Sequence, residues 1–133
     1  MESRKMAVVD WSERKSLEDF FGAFLPPEVM VTYFDNIEGL AKRLASGERF
    51  DLYLVDNCLG CDLGKGPHVP GPAIECVRLI REKHPEAEII VLANIASLWE
   101  YQQFEKSGAA RYLIGKGDDP KVLRDTIQRL LKL

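Results

Sequence analysis

No apolar run in this chain approaches the roughly 20 residues needed to span a bilayer. Its first five residues are charged but lead into only a few apolar positions before Asp10, which excludes a signal peptide. Basic excess is missing too: 18 Lys and Arg face 21 Asp and Glu, a formal charge of −3. That balance argues against a broad basic face for DNA or RNA phosphates and against a polybasic hold on anionic membrane. No nucleic acid and no membrane are therefore expected as partners, and a cytoplasmic location is. Cysteine is sparse and odd in number, at three, which fits reduced thiols better than a disulfide framework. Glycine is not arranged as a phosphate cradle. Asp10-Trp11-Ser12-Glu13 follows the first apolar run with neither Gly-x-Gly-x-x-Gly nor a P-loop, which weakens a flavin or nucleotide enzyme. Internal repeats, low-complexity tracts and linkers are likewise missing, so one domain over residues 1–133 is the expectation.

What the chain does have is an alternation of apolar runs and helical stretches. An apolar content of 46% allows an ordinary buried core, and 29% charged residues supply a solvated surface. Met6-Ala7-Val8-Val9 ends in Asp10 and suits a strand buried on both faces. Ser16 and Asp19 resemble a capping box for a helix whose Leu17, Phe20, Phe21 and Phe24 repeat at helical spacing. Pro26-Pro27 stops that helix, since proline lacks the N–H a further turn needs. Residues 29–34 form a second β-rich run. Asp35 or Asn36 caps the next helix, which carries Ile37, Leu40, Ala41 and Leu44 on one face and ends at Gly47.

Residues 50–55 read as the third strand, closed by Asp56. The Gly/Pro-rich residues 59–72 form the longest irregular stretch, and Pro72 suits the first position of the helix bearing Ile74, Val77 and Ile80 inward. Residues 89–93 are the fourth strand, Ser97 and Glu100 cap a helix reaching Gly108, and residues 110–114 are the fifth strand. Pro120 opens a last helix with Val122, Leu123, Ile127 and Leu130 apolar. Repeated βα alternation demands a parallel sheet, because each helix is a crossover between strands. The expected fold class is α/β: a single doubly wound, flavodoxin-like sheet of five parallel strands in order 2-1-3-4-5, with about five helices.

Ligands of such sheets bind beyond the carboxyl ends of the strands, where strand order reverses. Asp10 and Asp56 end the first and third strands, which are neighbours in this order at about 4.8 Å spacing. Two carboxylates so close repel unless a cation or proton intervenes. Mg²⁺ suits them, because it binds through one or two carboxylates plus waters and phosphate oxygens. A carboxylate beside such a metal is also a nucleophile toward a phosphoryl group.

The ordered set Val8-Val9-Asp10, Asp51-Leu52-Tyr53-Leu54-Val55-Asp56, Ile89-Ile90-Val91-Leu92-Ala93 and Gly108-Ala109-Ala110-Arg111-Tyr112-Leu113, followed by Lys116, resembles the receiver domains of bacterial response regulators. The resemblance covers nearly the whole chain. It implies Asp56 as phosphoacceptor, Asp10, Asp56 and the Cys58 carbonyl as metal-site groups for Mg²⁺, Lys116 as the phosphoryl-binding cation, and Ala93 and Tyr112 at the switch positions. It implies a stand-alone, non-enzymatic signalling domain whose partner is a histidine kinase, a phosphotransfer protein or a downstream effector, with a homodimer as a further form. Receivers commonly dimerise or dock on the side of their last two βα units.

The pattern is broken in four places. Trp11 stands where receivers usually carry a second acid, which weakens the Mg²⁺ site; Glu13 lies nearby in sequence. Ala93 replaces the hydroxyl residue that follows the phosphoryl group, with Asn94 and Ser97 displaced along the chain. Lys116 comes one residue late, after Gly115, where a bulge would restore its reach. Finally, the segment after Asp56 is longer than in typical receivers, and long loops at a functional edge often carry function. A pseudo-receiver that signals by constitutive protein contacts is the reading these losses favour, with conventional Mg²⁺-dependent phosphorylation as the alternative. A redox or zinc-responsive module using Cys58-Leu59-Gly60-Cys61, with His68 and Cys76, is the alternative from another class. His84, before Pro85, reads as a surface residue at a helix end.

Overall fold

Strands rich in apolar residues on both faces must be covered on both, and the computed structural model meets that demand with helices on each side of one sheet. The structure describes residues 3–10, 13–56, 71–93, 102, 106, 113–115 and 119–133. The strands are β1 (Arg4–Val9), β2 (Val29–Phe34), β3 (Leu52–Asp56), β4 (Ile89–Ala93) and β5 (Leu113–Gly115), and the helices α1 (Arg14–Gly22), α2 (Ile37–Ala45), α3 (Gly71–Lys83) and α4 (Pro120–Leu130). All pairings are parallel and the order is β2-β1-β3-β4-β5, as the alternation predicts. Of the helix expected between Ser97 and Gly108, only Gln102 and Lys106 are described, and both have helical backbone.

Alternation along the strands divides the core in two. Ala7, Val9, Tyr53, Val55, Ile89 and Val91 meet Leu40 and Leu44 of α2 and Val77 and Ile80 of α3. Met6, Val8, Leu52, Leu54 and Ile90 meet Phe21 of α1 and Leu123 and Ile127 of α4. The Arg4 guanidinium (Nε) donates to the Leu131 carbonyl at 3.0 Å, tying the end of α4 to the start of β1.

Several local expectations hold. Asn36 caps α2, its side-chain oxygen accepting the Gly39 N–H at 2.7 Å, and Gly47 ends that helix region with φ +94°. Asp119 caps α4, with Pro120 in its first turn. Others need correction. The Ser16–Asp19 box does not form: α1 begins at Arg14 after Glu13, without a side-chain cap bond, so Ser16 already lies inside it. The start is set one turn earlier by the Leu17 N–H to Glu13 carbonyl bond and the Arg14–Glu18 ion pair. That helix ends at Gly22, before the proline pair. Of the apolar helix positions, Val122 is 47% and Phe20 39% exposed. In α4 the buried stripe runs through Leu123 and Ile127, a 3.6-residue face that leaves Val122 turned outward. β3 starts at Leu52, two residues later than expected, and includes Asp56.

Candidate functional site at the carboxyl edge of the sheet

Register fixes the site. Val9 of β1 pairs with Val55 of β3, so the next residues along the two strands are Asp10 and Asp56. Both acids thus stand at the carboxyl edge of adjacent central strands, the crevice that a 2-1-3-4-5 sheet opens between β1 and β3. Asp56 is still inside β3, paired with Leu92 of β4. It is 7% exposed and is the buried charged residue of the described chain. Asp10 is half-buried, and its amide donates to the Phe34 carbonyl at 3.0 Å, locking the end of β1 to the end of β2. That backbone lock has no signature in the sequence, because it follows from strand register alone.

Burying a carboxylate is costly unless charge or hydrogen bonding compensates it. Side-by-side carboxylates raise that cost and favour a small hard cation with oxygen ligands. The donor set offered by Asp10 and Asp56 fits Mg²⁺ or Ca²⁺ in type, though it falls short of a complete cage. Among the described residues no group of three His, Cys, Asp or Glu side chains is placed to hold a metal ion. Glu13 is exposed at the start of α1.

The remaining predicted positions divide by whether the structure describes them. Ala93 is the last residue of β4, and its backbone pairs with Gly115 of β5. Its place at the strand's carboxyl end is therefore as expected. Cys58, Trp11, Tyr112 and Lys116, together with Cys61 and His68, lie outside the described residues. Cys76 lies in the core between α3 and the sheet, fully buried, and burial pushes its thiol up to about 12. It is a packing residue, so the four-ligand zinc set of the rival reading loses one member.

No protein-family model matches the sequence, and no curated protein matches it. Solved structures do. The chain is similar to a BeF3-activated DrrB receiver domain, with a TM-score of 0.72 at 22% identity, covering 98% of this chain and 99% of that one. It is similar to the signal receiver domain of an HD-domain-containing protein from Pseudomonas fluorescens Pf-5, with a TM-score of 0.77 at 16% identity over 99% and 89% of the two chains. A third is a response regulator from Burkholderia pseudomallei with a phosphorylated aspartic acid, a calcium ion and citrate, at TM-score 0.69, 20% identity, and 96% and 72% coverage. The class defined by sheet and site is doubly wound, flavodoxin-like α/β. Within that class, the chain has the fold of the response-regulator receiver domains.

Proposed function

We propose that this chain, as one domain over residues 1–133, is a cytoplasmic receiver-like signalling module of the two-component type. Its output is contact with another protein rather than turnover of an external substrate. The observation that carries the reading is Asp56: a buried carboxylate at the carboxyl end of the central strand β3, one register step from the end of β1 where Asp10 follows. That is the phosphoacceptor position implied by the fold and by the motif order. Asp10, Asp56 and the Cys58 carbonyl would hold Mg²⁺, which supplies charge neutralisation for the two acids and for phosphoryl oxygens. Lys116 would pair with those oxygens, and Tyr112 stands at the aromatic switch position of the sequence motif.

The site is degenerate on this proposal. Trp11 brings no ligand where a second acid is usual, and Ala93 has no hydroxyl with which to follow a phosphoryl group. Signalling is then phosphorylation-independent, and the partners are a histidine kinase, a phosphotransfer protein or a downstream effector. The test is incubation with millimolar Mg²⁺ and either acetyl phosphate or beryllofluoride, followed by intact mass and amide chemical shifts. No adduct and no shift are expected. An adduct on the wild-type chain that disappears in Asp56→Asn overturns the phosphorylation-independent version and establishes the conventional switch, for which the Asp10–Asp56 adjacency is the supporting observation.

A further inference from the structure

The strand β2 stands at the edge of the sheet, paired with β1 on one side, and among the described residues no strand covers the other. Its hydrogen-bond phase follows from two bracketing bonds. The Arg4 N–H donates to the Glu28 carbonyl at 3.2 Å and the Asp10 N–H to the Phe34 carbonyl at 3.0 Å. Successive residues of a strand turn their amides and carbonyls to opposite sides, so Met30, Thr32 and Phe34 face β1. Val29, Val31 and Tyr33 direct theirs to the open edge. Among the described residues, only the Val29 N–H of these is used, donating to the Pro26 carbonyl at 3.0 Å.

Natural edge strands are guarded by lysine, proline, bulges or brevity. This one is Val29-Met30-Val31-Thr32-Tyr33-Phe34, without a charge, a proline or a glycine, and Met30 on it is 59% exposed. Beside it, a groove of about 240 Å³ runs between the end of α1, Pro26-Pro27 and the side chains of Val29, Val31 and Tyr33.

We propose that this edge is a homodimer interface in which a second copy of the chain adds its β2 antiparallel across a two-fold axis at Val31. The occupant follows from complementarity. Under that axis each Val31 exchanges both its N–H and its carbonyl with the other Val31, and each Tyr33 N–H meets the Val29 carbonyl opposite. The free donors at Val31 and Tyr33 then find the free acceptors at Val29 and Val31, and the occupied Val29 amide ends the ladder. Charge agrees with this register. The strands themselves are neutral, and the flanking acids do not face each other: Glu28 falls opposite Phe34, and Asp35 opposite Pro27. The side chains of the second Val31 and Tyr33 fill the groove beside α1, and Met30 lies across from Thr32. Because both copies use the same edge, the assembly closes at two.

The interface goes beyond the proposed function and is independent of chemistry at Asp56, so it is measured without a phosphodonor. Sedimentation of the whole chain from micromolar to millimolar concentration is expected to show the mass rising from 15.1 kDa to twice that value. Over the same range, amide exchange at Val31 and Tyr33 slows. Met30→Lys with Thr32→Lys sets like charges opposite one another and weakens association at least about tenfold. Met30→Glu with Thr32→Lys sets opposite charges there and restores it. A mass that stays at 15.1 kDa at all concentrations overturns the proposal, as does a dimer indifferent to both charge pairs or growth beyond two copies. Unchanged exchange at Val31 and Tyr33 overturns it without any variant.

Discussion

The Tyr53 hydroxyl lies 3.2 Å from Nδ1 of His84 while accepting the Phe50 N–H at 3.2 Å. Tyr53 is fully buried, and its ring meets those of Phe50 and His84 edge to face. The hydroxyl and the imidazole nitrogen share one hydrogen bond whose direction follows the His84 tautomer. His84 is thus a half-buried packing partner under the end of α3, not the plain surface residue expected from its place before Pro85. Tyr53→Phe should leave the buried Phe50 amide without its acceptor and cost about 1–3 kcal/mol in urea unfolding.

The same pair carries a pH dependence. Burial first, then the Arg49 and Arg81 charges, hold His84 below the ordinary histidine value, despite opposing Glu86 and Asp51. A depressed folded pKa means that the unfolded chain binds the proton more readily. The contribution of His84 is therefore present above the ordinary histidine range near 6.5 and is lost as pH falls through the folded value. Stability measured from pH 7.5 downward should drop less steeply in His84→Gln than in the wild type. Parallel curves for the two chains would show that folding does not depress the His84 pKa.

Glu48 works in the opposite part of the scale. Its carboxylate accepts from Arg43, including a 2.8 Å bond from Nη2, and from Lys5 Nζ at 2.8 Å. Those hydrogen bonds, from Arg43 first and then Lys5, lower its pKa to about 2. The resulting stability is present above the ordinary glutamate value and disappears as pH falls toward 2. Arg43 is exposed and Lys5 and Glu48 are only half-buried, so solvent screens the pairs and Glu48→Gln should cost only about 0.5–1 kcal/mol at pH 7. That difference should shrink in 1 M salt and vanish at strongly acid pH, as thermal unfolding would register.

Cys76 gives a direct reading of the thiol chemistry. A fully buried thiol pushed up to about 12 has almost no thiolate at neutral pH. Brief alkylation of the native chain followed by peptide mass mapping should leave Cys76 unmodified, and the same treatment in denaturant should label it. Labelling in the native state at the rate of an exposed cysteine would remove it from the core.

Much of this architecture was legible because the central strands carry apolar runs that give way to an acid at the carboxyl end. Asp10 and Asp56 mark strand ends for that reason, and alternation with helices then dictates parallel order. Helix starts were less legible, as at Ser16, where the ion pair of Arg14 with Glu18 and a backbone bond from Leu17 outweigh a plausible cap. The Tyr53–His84 contact was invisible, since no local pattern links residues on opposite sides of a crossover. The edge of β2 was half visible: its lack of charge stands in the sequence, but which amides face outward depends on a bond phase only the register supplies.

The final prediction concerns how much the residue after Asp10 decides. Metal affinity at a two-carboxylate edge rises with each further anionic oxygen that reaches the ion, and Trp11 supplies none. Trp11→Asp restores the acid that receivers usually carry there. Mg²⁺ titration followed by thermal shift should give about tenfold tighter binding than wild type, equivalent to about 1.4 kcal/mol. The stabilisation should grow with the logarithm of Mg²⁺ concentration once the site is saturated. Adding Asp10→Asn to that variant should abolish the gain, because the new acid then lacks the neighbour with which it would share the ion. If Trp11→Asp leaves the Mg²⁺ response flat while Asp10 and Asp56 are intact, the residue at position 11 does not limit metal binding. The proposed degeneracy would then have to be traced to another departure from the receiver pattern.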